Sequence, residues 1–189
     1  AGHVDEDGHL ICLGRMKEML SLAGERKYPP LFIEGRLKFS SYVRDAMSIG
    51  GAEREHVAAL INIDFDNVGR WAERRGLSFT TYADLSQKTE VHELIGADIE
   101  RVNRSLPAEA RVRRFVLLYK EFDPDEAELT RTRKLRRNAI EARYRELIEA
   151  MYTDCESVTV RAEVTYRDGR TGVIETEVRV GRAAEEAGG

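Results

Sequence analysis

At Met151 the spacing of apolar residues changes from helical to strand-like, and that change restricts the fold more than any other feature of the chain. From Arg137 to Met151, the residues Ile140, Tyr144, Leu147, Ile148 and Met151 recur every three or four positions and share one helical face. Beyond it, Val158, Val160, Ala162, Val164 and Tyr166 alternate with other residues, Asp168-Gly169 supplies a turn, and Val173 to Val180 returns as a second strand. Both periods recur upstream. Gly2-His3-Val4 and His9-Leu10-Ile11 flank Asp5-Glu6-Asp7-Gly8 and predict a hairpin. Tyr42 to Ile49 and His56 to Ile63, separated by Gly50-Gly51-Ala52-Glu53, predict two antiparallel strands, and Phe115 to Leu118 a buried one. Helices are expected from Pro30 to about Phe39, from Asn67 to Arg75, and from Thr89 to Leu106, where Val91, Leu94, Ile95, Ile99, Val102 and Leu106 gather on one side. The class is α+β: a small antiparallel or mixed sheet packed with helices, with N-terminal hairpin strands and a C-terminal β-hairpin.

At 189 residues the chain suffices for one good core, or for a medium domain with an appendage. A third of its residues are charged, yet the net charge is only -4, so the surface is mixed in sign and wholesale nucleic-acid or membrane-surface binding is not indicated. No apolar run approaches the roughly 20 residues needed to span a bilayer, and no segment resembles a signal peptide, so a cytoplasmic location is expected. Cys12 and Cys155 are far apart with no CxxC or Cys/His spacing, which argues against a disulfide framework or a zinc site. Cys12 lies in Leu10-Ile11-Cys12-Leu13 and is expected to be a small buried hydrophobe. His92-Glu93 lacks the second histidine of a metalloprotease helix, so no metal ligand is assigned, and Trp71 is expected in the core. Arg182 to Gly189 is charged and small, and is expected to be disordered.

The chemistry concentrates in Glu128-Leu129-Thr130-Arg131-Thr132-Arg133-Lys134-Leu135-Arg136-Arg137. A lysine follows a hydroxyl-bearing segment and precedes an amphipathic helix, where a flexible ammonium can meet a phosphate or carboxylate as a point charge. Taken by itself the stretch reads more readily as a solvated basic face of Lys134 with Arg131, Arg133, Arg136 and Arg137, and Arg15 and Lys17 read equally as ordinary hairpin-end charges.

Three separated motifs in order change that reading. Asp5-Glu6-Asp7-Gly8-His9-Leu10 followed by Gly14-Arg15-Met16-Lys17 is similar to the acidic turn and hinge of AMP-forming acyl-CoA synthetases in the adenylate-forming superfamily. Ala23-Gly24-Glu25 with Pro30-Leu31-Phe32-Ile33-Glu34 resembles their Gly-Gly-Glu loop and the Pro-x-x-Ile-Glu after it. Leu129-Thr130-Arg131-Thr132-Arg133-Lys134 matches their terminal Leu-Thr-Pro-Thr-x-Lys. The resemblance covers about residues 1 to 152, is closest to the long-chain fatty acid branch, and identifies the C-terminal domain. Three positions depart from the pattern: Arg131 stands for proline, Ala23 for the first loop glycine, and Gly14 for a common aspartate.

The resemblance implies a domain order: 1–13 as terminal strands of a large adenylating domain, 14–17 as hinge, 18–152 as a lid domain, 153–181 as a β-hairpin extension and 182–189 as a tail. On this reading the chain begins just after the Thr-Gly-Asp motif and is a fragment inactive by itself. It also implies roles. Lys134 is the catalytic lysine of adenylation, Arg15 contacts the nucleotide ribose, Lys17 is the hinge residue, and Gly24 and Glu25 line the CoA tunnel after domain rotation. The full-length enzyme would use fatty acid, ATP, CoA and Mg2+, with the N-terminal adenylating domain of the same polypeptide as partner. No ligand is expected on these residues alone. Two readings from other classes stay open here: a nucleic-acid-binding module using the basic cluster 131–137, and a non-catalytic interaction domain pairing through the hairpin edge at 158–180.

Overall fold

A computed structural model describes residues 2–4, 7–165 and 170–183. Strands β1 (Gly2–Val4) and β2 (Leu10–Cys12) form the expected N-terminal hairpin, with Val4 opposite Leu10. Asp5 and Glu6 of its turn lie outside the described residues. Cys12 is exposed, contrary to the expectation of burial, as are Val4 and Leu10 of the same two-stranded ribbon. A second small ribbon, β3 (Leu20–Ser21) with β4 (Lys27–Tyr28), was not legible in the sequence at two residues per strand.

Helix α1 (Pro30–Leu37) starts on a proline whose fixed φ suits the first turn. Strand β5 (Val43–Ile49) then pairs antiparallel with β6 (Val57–Ile63), as expected. Asp64 caps α2 (Phe65–Arg74) by accepting from Asn67 N at 3.0 Å. A five-residue helix, α3 (Tyr82–Ser86), too short to show a period, is capped by Thr81. Helix α4 (Thr89–Asn103) ends three residues before Leu106, which is nevertheless buried. Strand β7 (Val112–Leu117) runs parallel to β6, with Leu60 opposite Val116.

The single helix expected over 137–151 is two, α5 (Arg137–Arg143) and α6 (Arg145–Ala150). Tyr144, at φ -98° and ψ 23°, ends one and opens the other. The apolar stripe survives the break, since Ile140, Tyr144, Leu147, Ile148 and Met151 are all buried. Strands β8 (Ser157–Thr165) and β9 (Thr171–Arg182) form the C-terminal hairpin; Tyr166 and the Asp168-Gly169 turn lie outside the described residues. This hairpin is continuous with the main sheet: Arg182, Gly181 and Val180 of β9 pair antiparallel with Arg114, Phe115 and Val116 of β7. Arg182 is therefore strand and Ala183 is buried, where a disordered tail was expected; 184–189 lie outside the described residues.

The result is one five-stranded mixed sheet of order β5-β6-β7-β9-β8, with helices on both faces. Alternation along the central strands divides the core in two. Ala59 and Ile61 of β6 with Phe115 and Leu117 of β7 meet Ile33, Leu37, Trp71, Val91, Ile95 and Ile99 of α1, α2 and α4. Ala58, Leu60 and Val116 face Ile140, Leu147, Ile148 and Met151 around α5 and α6.

Candidate functional site

The segment carrying Lys134 is a tight hairpin. Leu129 bridges Leu135; Thr130 N donates to Lys134 O at 2.8 Å, Arg133 N to Thr130 O at 2.9 Å and Arg136 N to Glu128 O at 2.9 Å. Arg133 takes φ +58°, the left-handed residue that closes a three-residue hairpin loop. Arg131 occupies the first corner of that turn, where proline is favoured. The Thr130 hydroxyl braces the loop, accepting from Lys134 N at 3.0 Å and lying 3.1 Å from Thr132 Oγ1. Lys134 is exposed, and its ammonium has no partner among the described residues. A fixed backbone thus presents an uncommitted cation on a flexible stem.

Two of the flanking arginines, Arg133 and Arg137, are committed, while Arg131 and Arg136 are exposed with no side-chain partner among the described residues. Arg133 reaches Asp45 at 3.4 Å, a buried carboxylate also bonded by Lys38 at 2.8 Å. Arg137 donates to Glu34 at 2.6 Å and to Ser48 O. Below the hairpin, Glu128 is completely buried, accepting from Asp123 N at 2.8 Å with Arg143 at 3.4 Å. Burial pushes the Tyr144 hydroxyl well above its usual range, and the Glu128 charge adds to it. Of these carboxylates only Glu34 leaves a sequence signal, since it shares a helical face with the core residue Leu37.

Gly24 and Glu25 form the tip of the β3–β4 ribbon, with φ +69° and +60°. Consecutive positive φ values are those of a type I′ turn, which glycine accepts without strain. The tip is held from below: Leu22 N donates to Arg26 O at 2.7 Å, Ala23 N to Arg54 O at 2.9 Å, and Arg26 Nη2 to Glu55 O at 3.0 Å. Both residues are exposed. Arg15 is exposed too, with Glu18 4.0 Å from its guanidinium, and Lys17 lies exposed in a short 3-10 turn over Met16–Glu18.

The sheet does not gather these residues into one cavity. Leu22 and Tyr28, which root the Gly24 loop, belong to the α1/α4 side of the sheet, whereas Leu129 and Leu135, which root the Lys134 hairpin, belong to the α5/α6 side. Two open cavities lie elsewhere: one of about 670 Å³ by Asp84, Lys88 and Arg179, and one of about 560 Å³ by His56, Arg113, Arg114 and Arg182. Neither is lined by Lys134, Arg15, Lys17, Gly24 or Glu25. Among the described residues no three His, Cys, Asp or Glu side chains are grouped to hold a metal ion, and no helix is long and apolar enough to cross a membrane.

Known proteins match this arrangement. The long-chain-fatty-acid–CoA ligase FadD15 of Mycobacterium tuberculosis is 30% identical over 152 residues, covering 80% of this chain and 25% of the ligase. The long-chain-fatty-acid–CoA ligase ACSBG1 of Macaca fascicularis is 29% identical over 171 residues, covering 82% of this chain and 24% of that protein. The chain thus spans about a quarter of the length of the curated relatives it matches. The fold matches part of the adenylation domain of the carboxylate reductase from Mycobacterium chelonae, with a TM-score of 0.58 at 24% identity, covering 80% of this chain and 24% of that one. It also matches part of the A domain of the carboxylic acid reductase from Segniliparus rugosus in complex with AMP and a co-purified carboxylic acid, with a TM-score of 0.59 at 19% identity, covering 79% and 24%. The AMP-binding enzyme C-terminal domain family matches residues 17–156, well over half of the chain, and the protein belongs to that family.

Proposed function

We propose that the chain is the mobile C-terminal domain of an ATP-dependent long-chain fatty acid–CoA ligase. The observation that carries this is the match of residues 17–156 to the AMP-binding enzyme C-terminal domain family, and two braced, exposed loops rooted in different core clusters are suited to separate steps. Adenylation and thioester formation would use them in turn, with the domain rotating between steps about Lys17. In the first step a fatty-acid carboxylate oxygen attacks the α-phosphorus of ATP, the bond to the bridging oxygen breaks, and pyrophosphate leaves. The Lys134 ammonium offsets the negative charge crowding that locus, and Arg15 contacts the ribose. In the second step the CoA thiol attacks the acyl carbonyl and AMP leaves, while the Gly24–Glu25 turn lines the pantetheine path. We place the magnesium ion expected with ATP, like the phosphate loop and the acyl pocket, in the adenylating domain. A cytoplasmic location belongs to the same reading.

The test is fatty-acid-dependent exchange of pyrophosphate into ATP by the full-length polypeptide. Exchange that requires fatty acid, with none from residues 1–189 alone, supports the proposal; acyl-CoA synthesis by residues 1–189 alone overturns it.

A further inference from the structure

We propose that Arg137 is the positioning residue for Lys134, closing with Glu34 a clasp around the open edge of β5 that fixes where the lysine hairpin stands. The inference rests on the adenylation role proposed for Lys134.

Strand β5 is an edge of the sheet, hydrogen-bonded only to β6, so main-chain groups on its other side need partners. At Ser48 the clasp supplies them. Ser48 N and Ser48 Oγ each donate to Glu34 Oε1 at 2.8 Å, and Ser48 O accepts from Arg137 Nη2. Arg137 Nη1 closes the ring by donating to the same Glu34 Oε1 at 2.6 Å. Glu34 comes from α1 on one side of the sheet, and Arg137 is the first residue of α5 on the other. The pair therefore joins the two helical layers across the strand edge. Its groups are shielded, with side-chain exposures of 27% for Arg137 and 10% for Glu34. Burial pushes the Tyr28 hydroxyl up to about 12, with the neighbouring Arg137 charge acting in the opposite direction.

Arg137 follows Lys134 by three residues, and between them Leu135 packs into the α5/α6 core. The hairpin's other long-range ion pair, Arg133 to Asp45, is longer at 3.4 Å and made by a side chain 55% exposed. Arg137 is thus its short, shielded polar tether to the rest of the fold. The two guanidinium nitrogens serve different acceptors at once, a planar fork that a lysine ammonium does not reproduce. The Gly24–Glu25 turn has separate ties to Arg54 and Glu55, and Arg137 meets its root only at the Tyr28 side chain. Loss of Arg137 should therefore fall on one half-reaction, whereas a contact serving stability alone would weaken both.

The experiment uses the full-length enzyme and measures adenylate formation, and separately thioester formation from supplied acyl-AMP and CoA. Arg137→Met should lower kcat of adenylation about 10- to 100-fold, with KM for ATP and the thioester rate within about twofold of wild type. Arg137→Lys should recover part of the loss. In a Lys134→Ala background, Arg137→Met should have no further effect on adenylation, because the arginine acts through the lysine. Equal losses in both half-reactions, or an undiminished effect in that background, would overturn the proposal. Should Arg137→Met not fold, Glu34→Gln removes the charge at nearly constant shape and should give a smaller loss confined to adenylation. A wild-type adenylation rate in Lys134→Ala alone would remove the functional reading itself, and this inference with it.

Discussion

A methyl group added at Gly50 would sit 2.4 Å from Cε1 of Tyr28, 2.9 Å from its Cζ and 3.0 Å from Cδ2 of Leu22. Ordinary carbon contacts lie at about 3.5–4.0 Å, so the tyrosine ring must retreat by roughly 1 Å. It has little room to do so, since Tyr28 is 0% and Leu22 1% exposed. Both residues root the Gly24–Glu25 turn, so relief comes by moving that loop. Overpacking of this kind costs about 1–3 kcal/mol, or a fall of roughly 2–12 °C in Tm at 2–4 °C per kcal/mol for a chain of this size. Gly51→Ala is the control: its new carbon would lie 3.6 Å from Cδ of the flexible Arg54 side chain. It shares the unfolded-state benefit of replacing glycine and should stay within about 0.5 kcal/mol of wild type. Urea unfolding of residues 1–189, followed by fluorescence of Trp71, the chain's single tryptophan, compares the two directly. Coincident midpoints for Gly50→Ala and Gly51→Ala would refute the packing argument.

Three further outcomes are expected. Arg131→Pro should raise stability by about 0.4–1 kcal/mol in the same urea assay, because it presets the first corner of the hairpin turn and Arg131 N makes no hydrogen bond there. Glu128→Ala should cost about 1–3 kcal/mol, leaving Asp123 N without its acceptor while Arg143, 39% exposed, keeps Glu126. Burial, and secondarily the Arg179 charge, lowers the His92 pKa from 6.5 to about 4. The unfolded imidazole then binds its proton first as pH falls, so stability present above pH 6.5 is lost toward pH 4. The loss amounts to up to about 3 kcal/mol at roughly 1.4 kcal/mol per decade. Urea midpoints at several pH values should lose that portion of the slope in His92→Gln.

Where a segment is long and its period clear, the local sequence was a sufficient guide. The strands at 43–49 and 57–63, the helix from Thr89 and the buried stripe through Met151 all follow from spacing alone. Pairing between distant strands did not, because local alternation says which face is buried and not which strand lies alongside. Hence the parallel β6–β7 pair, and the docking of β9 on β7 that makes Arg182 a strand residue, emerged only in three dimensions. Helix α3 and the two-residue ribbon are shorter than any period. Cys12 shows the converse limit, since in one apolar run Leu13 reaches the core while Leu10 and Cys12 stay exposed, a division that composition does not foretell. The candidate site divides the same way. Lys134, Gly24, Glu25, Arg15 and Lys17 came from motif order, and the Thr130 hydroxyl beneath Lys134 gives one local physical reason for that motif. The clasp was invisible, because Glu34 and Arg137 are 103 residues apart and only the fold brings them together.

The measurement that bears most directly on the account compares wild type with Lys134→Ala in the full-length enzyme, assaying adenylate formation and thioester formation separately. The account predicts a loss of about 100- to 1,000-fold in adenylation, the scale of removing one preorganised charge-stabilising group, with thioester formation from supplied acyl-AMP and CoA retained. Adenylation at the wild-type rate would contradict it, and would return Lys134 to the solvated basic surface.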